Sequence, residues 1–248
     1  MTDAKITKDD FLGGRISLCQ PEKGYRITSD SVFLAASLNI KAGDKILDIG
    51  SGSGGILACL TARLGERARE IIMHGIEIQD DLITLAIKNS GGTIKYYKGD
   101  IFGDVPECEP NSYHHVVSNP PYYEMGKVNA SPYKTKAVAQ GDGIFDLRVW
   151  VERSLRMVRP KGFISIIHRA DRLDDIICAL SQKAGSIIIY PLYSKAGKDA
   201  NRVVIRAQKD AKGLLSLKSG LIVHKSDGHY TDLAENILRH AHYLDITE

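Results

Sequence analysis

Six consecutive residues, Ser118–Asn119–Pro120–Pro121–Tyr122–Tyr123, bring a side-chain amide, two prolines and two phenols together. Consecutive prolines end a hydrogen-bonded ladder and stiffen the chain, and each forces its predecessor into an extended conformation. Such a turn holds an amide oxygen, a backbone carbonyl and a ring in fixed relation. That is what recognition of a planar amine requires: two acceptors for two N–H groups and a ring to stack on. The Asn119 side-chain oxygen and the Pro120 carbonyl are the expected acceptors. Tyr122 is the expected platform, with Tyr123 or Phe102 packing nearby.

Three further motifs lie upstream. Asp48 precedes a glycine-rich stretch, Gly50–Ser51–Gly52–Ser53–Gly54–Gly55. Glycines there let the chain turn tightly and let a ligand approach the main chain. Gly50, Gly52 and Gly55 satisfy the literal GxGxxG pattern, so a nicotinamide-dependent oxidoreductase is one alternative. Asp48 weighs against it, because a carboxylate repels a pyrophosphate and attracts an ammonium such as that of a methionine moiety. Glu77 closes a second apolar run and can accept hydrogen bonds from ribose hydroxyls. Asp100, followed by Ile101 and Phe102, can accept an adenine amino group while the apolar residues cover the ring.

Alternating short β-branched runs and amphipathic stretches supply the elements that position these groups. Strands are predicted at 45–50, 71–78, 94–97, 115–118, 163–167, 187–190 and 202–206. Helical spacing follows the glycine stretch (Ile56, Leu57, Leu60, Leu64), Gln79 (Leu82, Ile83, Ala86, Ile87), Asp146 (Leu147, Trp150, Val151, Leu155) and Asp171 (Leu173, Ile176, Ile177, Leu180), with Asp146 and Asp171 as expected N-caps. The order predicts an α/β fold: a Rossmann-like, doubly wound, mostly parallel seven-stranded sheet with an antiparallel closing strand. Right-handed crossovers place the ends of the parallel strands, and hence all four motifs, along one edge. Residues 1–248 read as one domain, with short additions at 1–44 and 213–248.

Composition narrows the function classes. The chain has 248 residues, 25% of them charged and 43% hydrophobic, an ordinary globular balance. No apolar run reaches the roughly 18 residues of a membrane span, and residues 1–10 lack a signal-like apolar core. The four cysteines show no CxxC pair or zinc spacing, so no metal is expected. They read as buried free thiols of a reducing, cytoplasmic protein. The net charge of +3 is unevenly spread. Residues 183–225 carry nine Lys and Arg against two Asp, and residues 125–140 add Lys127, Lys134 and Lys136. Such stretches can line a phosphate track.

Taken together, Asp48–Ile49–Gly50–Ser51–Gly52, Glu77, Asp100 and Asn119–Pro120–Pro121–Tyr122 resemble the motif series of class I S-adenosylmethionine-dependent methyltransferases acting on amine nitrogen. Tyr25–Arg26–Ile27–Thr28–Ser29–Asp30, the doubled Tyr122–Tyr123, Arg202–Val203–Val204–Ile205, Tyr230–Thr231–Asp232 and His242–Tyr243–Leu244 extend the resemblance to the bacterial tRNA adenine-N6 methyltransferases, which modify valine tRNA beside the anticodon. Relatives carry Thr-Asp-Gly where this chain has Ser29–Asp30–Ser31; Asp30 is retained. The resemblance implies S-adenosylmethionine held by Asp30, Asp48, Gly50, Gly52, Glu77, Asp100, Ile101 and Asn119. It implies Asn119, Pro120 and Tyr122 at the reacting amine, and tRNA held by Tyr122, Tyr123, Lys195, Lys198 and Arg202. The same turn can also present a release-factor glutamine or an adenine of DNA or ribosomal RNA. A non-catalytic RNA-binding module is a further alternative, disfavoured by retention of every motif.

Overall fold

The computed structural model describes residues 5–103, 105–122 and 146–247. The strands are β1 (Ile6–Phe11), β2 (Ile16–Pro21), β3 (Lys45–Ile49), β4 (Ile72–Glu77), β5 (Lys95–Lys98), β6 (Tyr113–Ser118), β7 (Val158–Arg169), β8 (Ala184–Lys195), β9 (Ala200–Lys209), β10 (Ser216–Leu217) and β11 (Leu221–His224). The α-helices are α1 (Ser29–Ala36), α2 (Gly55–Leu64), α3 (Asp80–Asn89), α4 (Leu147–Met157), α5 (Leu173–Leu180) and α6 (Asp232–His240). Tyr123, Lys127, Lys134 and Lys136 lie outside the described residues.

The main sheet runs β10–β8–β9–β7–β6–β3–β4–β5, with β11 also paired to β8. All its pairings are parallel except those of β9, which is antiparallel to both β7 and β8. The Rossmann-like α/β sheet therefore forms with its antiparallel closing strand, but with nine strands where the periodicity predicts seven. The two additional strands are β10 and β11. They are two and four residues long and show no clean alternation of burial, so no period-2 signal marks them.

Successive residues of the central strands feed opposite faces. Ile46, Val117 and Val204 join a core under α1, α2 and α6. Leu47, Val116 and Val203 join a second core with Trp150, Leu155 and Ile176 from α4 and α5. This two-sided burial explains why the strands read as continuous apolar runs.

The N-terminal addition contains an antiparallel hairpin, β1 with β2. Strand β1 alternates between exposed and half-buried positions and carries Lys8, Asp9 and Asp10, which hid it in the sequence. Asn89 fastens the hairpin to the sheet domain: its amide accepts from the Cys19 N–H at 2.8 Å and donates to the Cys19 and Ser53 carbonyls. Asp146 caps α4 as expected. Asp171 does not cap α5; it pairs with Arg169, and a short 3-10 turn intervenes. Cys19, Cys59 and Cys108 are buried, but Cys178 is exposed on α5, on the face opposite Ile176 and Leu180. Among the described residues no helix is long and apolar enough to cross a membrane.

Candidate active site

Strands β3, β4, β6, β7 and β8 all run in one direction, so their last residues share one edge. The predicted chemistry gathers there in two halves. Around β3 and β4, the glycine stretch turns back over the sheet: Gly50 and Ser51 donate their N–H groups to the Ile76 carbonyl at 2.9 and 3.0 Å. Gly50, Gly52 and Gly54 have φ of 72°, 55° and 86°, a region open chiefly to glycine. At Gly52 space demands glycine as well, since a Cβ would fall 2.2 Å from the Tyr25 ring.

Asp48 lies beneath this turn with 0% exposure, and among the described residues neither carboxylate oxygen has a hydrogen-bond partner. Burial, reinforced by the charge of Glu77, pushes its carboxyl well above the usual range. A buried carboxylate without a partner is costly, and a cation relieves the cost. Glu77 differs. Its Oε2 accepts from the Gly52 N–H at 2.9 Å, and its Oε1 from the N–H groups of Ile78 and Gln79. Burial raises its pKa and these bonds oppose the rise. Three of its roughly four acceptor positions are used, which leaves Oε2 as the place for one further donor.

Gly99 donates to the Glu77 carbonyl at 3.0 Å, which sets Asp100 beside Glu77 on the edge. Asp100 accepts from the Phe102 N–H, fixing a tight turn. Ile101 is buried among the α4 and α5 core residues, and Phe102 packs edge-on to Trp150 at 5.8 Å.

The second half is built around the residues after β6. Ser118 donates to the Ile49 carbonyl at 2.7 Å and accepts from the Trp150 indole at 3.0 Å, tying the start of the Pro-Pro turn to β3 and α4. Asn119 and Tyr122 meet across the turn: the phenol donates to the Asn119 side-chain oxygen at 2.5 Å. The same phenol lies 2.9 Å from Asp30 Oδ2, which also accepts from Arg202 Nε at 2.9 Å. The Arg202 guanidinium covers the Tyr122 ring at 4.8 Å, and His168 meets that ring at a right angle at 4.8 Å. Burial holds His168 neutral, with a pKa lowered to about 4. Burial likewise raises the Tyr122 phenol, and the Asp30 carboxylate adds to the rise.

Asp30 and Arg202 are therefore both engaged with Tyr122. Lys195 and Lys198 are exposed at the β8–β9 connection on the same edge. The basic stretch 183–225 as a whole does not form one face. Lys183 and Lys212 flank the opposite sheet edge, and Lys209 is buried there with its ammonium on the Asn111 side chain and the Leu155 and Val158 carbonyls. Tyr25, Ser118, Trp150 and His168 were not singled out by the sequence reading as site residues. Ser118 had a signal through its adjacency to Asn119, and Tyr25 through the segment 25–30 that carries the resemblance.

Comparison with known proteins decides the family. The model of the N-6 DNA Methylase family matches residues 26–173, more than half of the chain. The chain belongs to this family. The matched span includes Asp30, Asp48, Glu77, Asp100 and Asn119–Tyr122, and stops short of Lys195, Lys198 and Arg202. Among curated proteins, the chain is 26% identical over 210 residues to the tRNA1(Val) (adenine(37)-N6)-methyltransferase of Aeromonas hydrophila, covering 84% of this chain and 86% of that one. It is 26% identical over 240 residues to the protein of the same name from Pedobacter heparinus, covering 94% and 97%. Among solved structures, a predicted O-methyltransferase from Agrobacterium tumefaciens superposes with a TM-score of 0.71 at 19% identity, over 87% of this chain and 98% of that one. That likeness shows the fold.

Proposed function

We propose that this N-6 methylase family member is an S-adenosylmethionine-dependent methyltransferase acting on the exocyclic N6 amine of an adenine in tRNA, next to the anticodon of a valine tRNA. The observation that carries the reading is the pairing of two features on one sheet edge. One is a buried carboxylate without a partner, Asp48. The other is a rigid turn that presents the Asn119 amide oxygen beside the Tyr122 phenol. The names of the curated relatives support adenine in tRNA as the substrate. The family description names DNA, which the test below includes.

The residues fit the cofactor. Asp48 would hold an ammonium group, Gly50 and Gly52 give main-chain approach, Oε2 of Glu77 has room for one hydroxyl, and Asp100 would take an amino group. When bound, S-adenosylmethionine supplies a methyl group on a sulfonium, so the protein needs no strong base. An adenine amine is a weak nucleophile because its lone pair is delocalised into the ring. Asn119 Oδ1 and the Pro120 carbonyl would accept its two N–H groups, favour a pyramidal nitrogen and stabilise the positive charge that develops there. Alignment of the nitrogen by the Pro-Pro turn supplies the rest. Tyr122 would be the ring on which the base stacks. A base in a loop unstacks at the least cost, which suits an anticodon-loop target. Lys195 and Lys198, exposed on the same edge, would meet phosphates. The chain reads as a single domain with additions at 1–44 and 213–248, which contain the hairpin and the β10–α6 region.

The test is incubation with unmodified total tRNA, a valine tRNA anticodon stem-loop and a matched DNA oligonucleotide, using a labelled methyl donor and nucleoside analysis. N6-methyladenosine in the RNA is the expected product. Transfer to DNA in preference to RNA, or to a different atom, overturns the assignment.

A further inference from the structure

The Asp30–Arg202–Tyr122 cluster joins three segments that are remote in the chain: the first turn of α1, the start of β9 and the turn after β6. Arg202 and Asp30 are 172 positions apart, and their ion pair joins a residue outside the family match to one inside it. Arg202 belongs to the basic stretch and was expected at a phosphate. Its guanidinium instead gives Nε to Asp30, Nη1 to the Asn201 carbonyl at 3.0 Å and its flat face to Tyr122.

We infer that Arg202 and Asp30 are positioning residues, which set the Tyr122 phenol and through it the Asn119 amide; this rests on the function proposed above. The phenol has one hydrogen and two acceptors, Asp30 Oδ2 at 2.9 Å and Asn119 Oδ1 at 2.5 Å. A carboxylate is the stronger acceptor when both are free. Arg202 Nε–H already occupies Asp30 Oδ2 and offsets its charge, which releases the phenol hydrogen to Asn119. That bond pins the amide oxygen toward the phenol and leaves its second lone pair for the substrate amine. The planar guanidinium on one face of the ring, with His168 at right angles to it, fixes the plane on which a base stacks. Without Arg202, Asp30 becomes a buried carboxylate without its cation and draws the phenol hydrogen away from Asn119.

The experiment compares Arg202→Met, Arg202→Lys, Asp30→Asn and the double variant Asp30→Asn/Arg202→Met with the parent chain. It reads kcat and KM on unmodified total tRNA, the salt dependence of tRNA binding, S-adenosylhomocysteine affinity by calorimetry and thermal melting. The expected result for Arg202→Met is a kcat lower by about tenfold or more, the loss typical of a misplaced reacting group. KM, salt slope and S-adenosylhomocysteine affinity stay near the parent values. Arg202→Lys recovers part of the loss, because it keeps the charge but not the planar fork. The double variant loses less than the two single losses combined, because it leaves no lone charge. A raised KM with unchanged kcat and a salt slope shallower by about 0.7, the value for one single-strand phosphate contact, makes Arg202 a phosphate ligand and overturns the inference. So does an unchanged kcat, or a kcat loss matched by lost melting temperature and cofactor affinity in Arg202→Lys as well. Asn119→Ala in the same assay separates the two levels. If that variant stays active, the proposed function fails; if it is inactive while Arg202→Met turns over normally, only the positioning role fails.

Discussion

The two halves of the catalytic edge treat polar groups in opposite ways. Around β3 and β4, Asp48 is fully buried with neither oxygen partnered among the described residues, beneath a turn whose glycines hold left-handed conformations. Around β6, β7 and β9, Asp30, Tyr122, Asn119 and Arg202 satisfy one another. The first half is a rigid receptor whose buried acid gains a partner when a cation arrives. The second is a mutually satisfied network that leaves one acceptor position on Asn119 for the substrate amine. A site that binds a small cofactor tightly gains from the first design. A site that must admit a large, unstacked base and release it gains from the second.

The strongest way to break this contrast is at Asn119. Asn119→Ala is expected to lower methyl transfer by about 10²–10³-fold, the cost of removing an acceptor where charge develops. Calorimetry with S-adenosylmethionine should still register binding. Undiminished turnover would remove the second half from the chemistry.

Next is Asp48. Asp48→Asn is expected to weaken S-adenosylmethionine binding by one to two orders of magnitude, as for a lost hydrogen-bonded charge of about 1.5–3 kcal/mol. The cofactor-free variant should nevertheless melt higher than the parent at neutral pH. The folded state holds the Asp48 proton more tightly than the unfolded chain, whose carboxyl titrates near 3.8. Stability of the parent therefore falls as pH rises from about 4 through the raised folded value, and Asp48→Asn abolishes that fall. Equal melting at every pH would mean that the carboxylate is compensated in solution.

A control on the opposite edge sharpens the comparison. Lys209→Met leaves three oxygens without their donor and is expected to cost about 2 kcal/mol, or roughly 4–8 °C in melting temperature. S-adenosylmethionine affinity should not change. A coupled loss of affinity would show that the two edges are not independent.

The smallest effect is expected at the exposed lysines. Lys195→Ala and Lys198→Ala should each raise the tRNA dissociation constant several-fold and reduce the salt slope by about 0.7. A slope that ignores both substitutions removes the β8–β9 connection from the RNA path.

Legibility in the sequence followed the range of the interactions involved. The strand–helix order from β3 to β7 was readable because two-sided burial writes continuous apolar runs at short spacing. The glycine turn and the Pro-Pro turn were readable because their backbone constraints act between neighbours. Strand β1 escaped because only one of its faces is partly covered, and β10 and β11 because a strand of two to four residues has no measurable period. The basic stretch was misleading for a related reason: counting charges along the chain cannot tell that β8 and β9 carry Lys183 and Lys209 to one edge and Lys195 to the other.

The sequence alone determined the α/β order, the four motifs and their shared edge, because chain direction and right-handed crossover follow from local pattern. Tertiary structure decided the state of each group: that Asp48 has no partner among the described residues, that Glu77 is largely occupied by backbone N–H groups, and that Arg202 belongs to Asp30. Those outcomes depend on which distant side chain arrives within 3 Å, and no spacing along the chain encodes that distance.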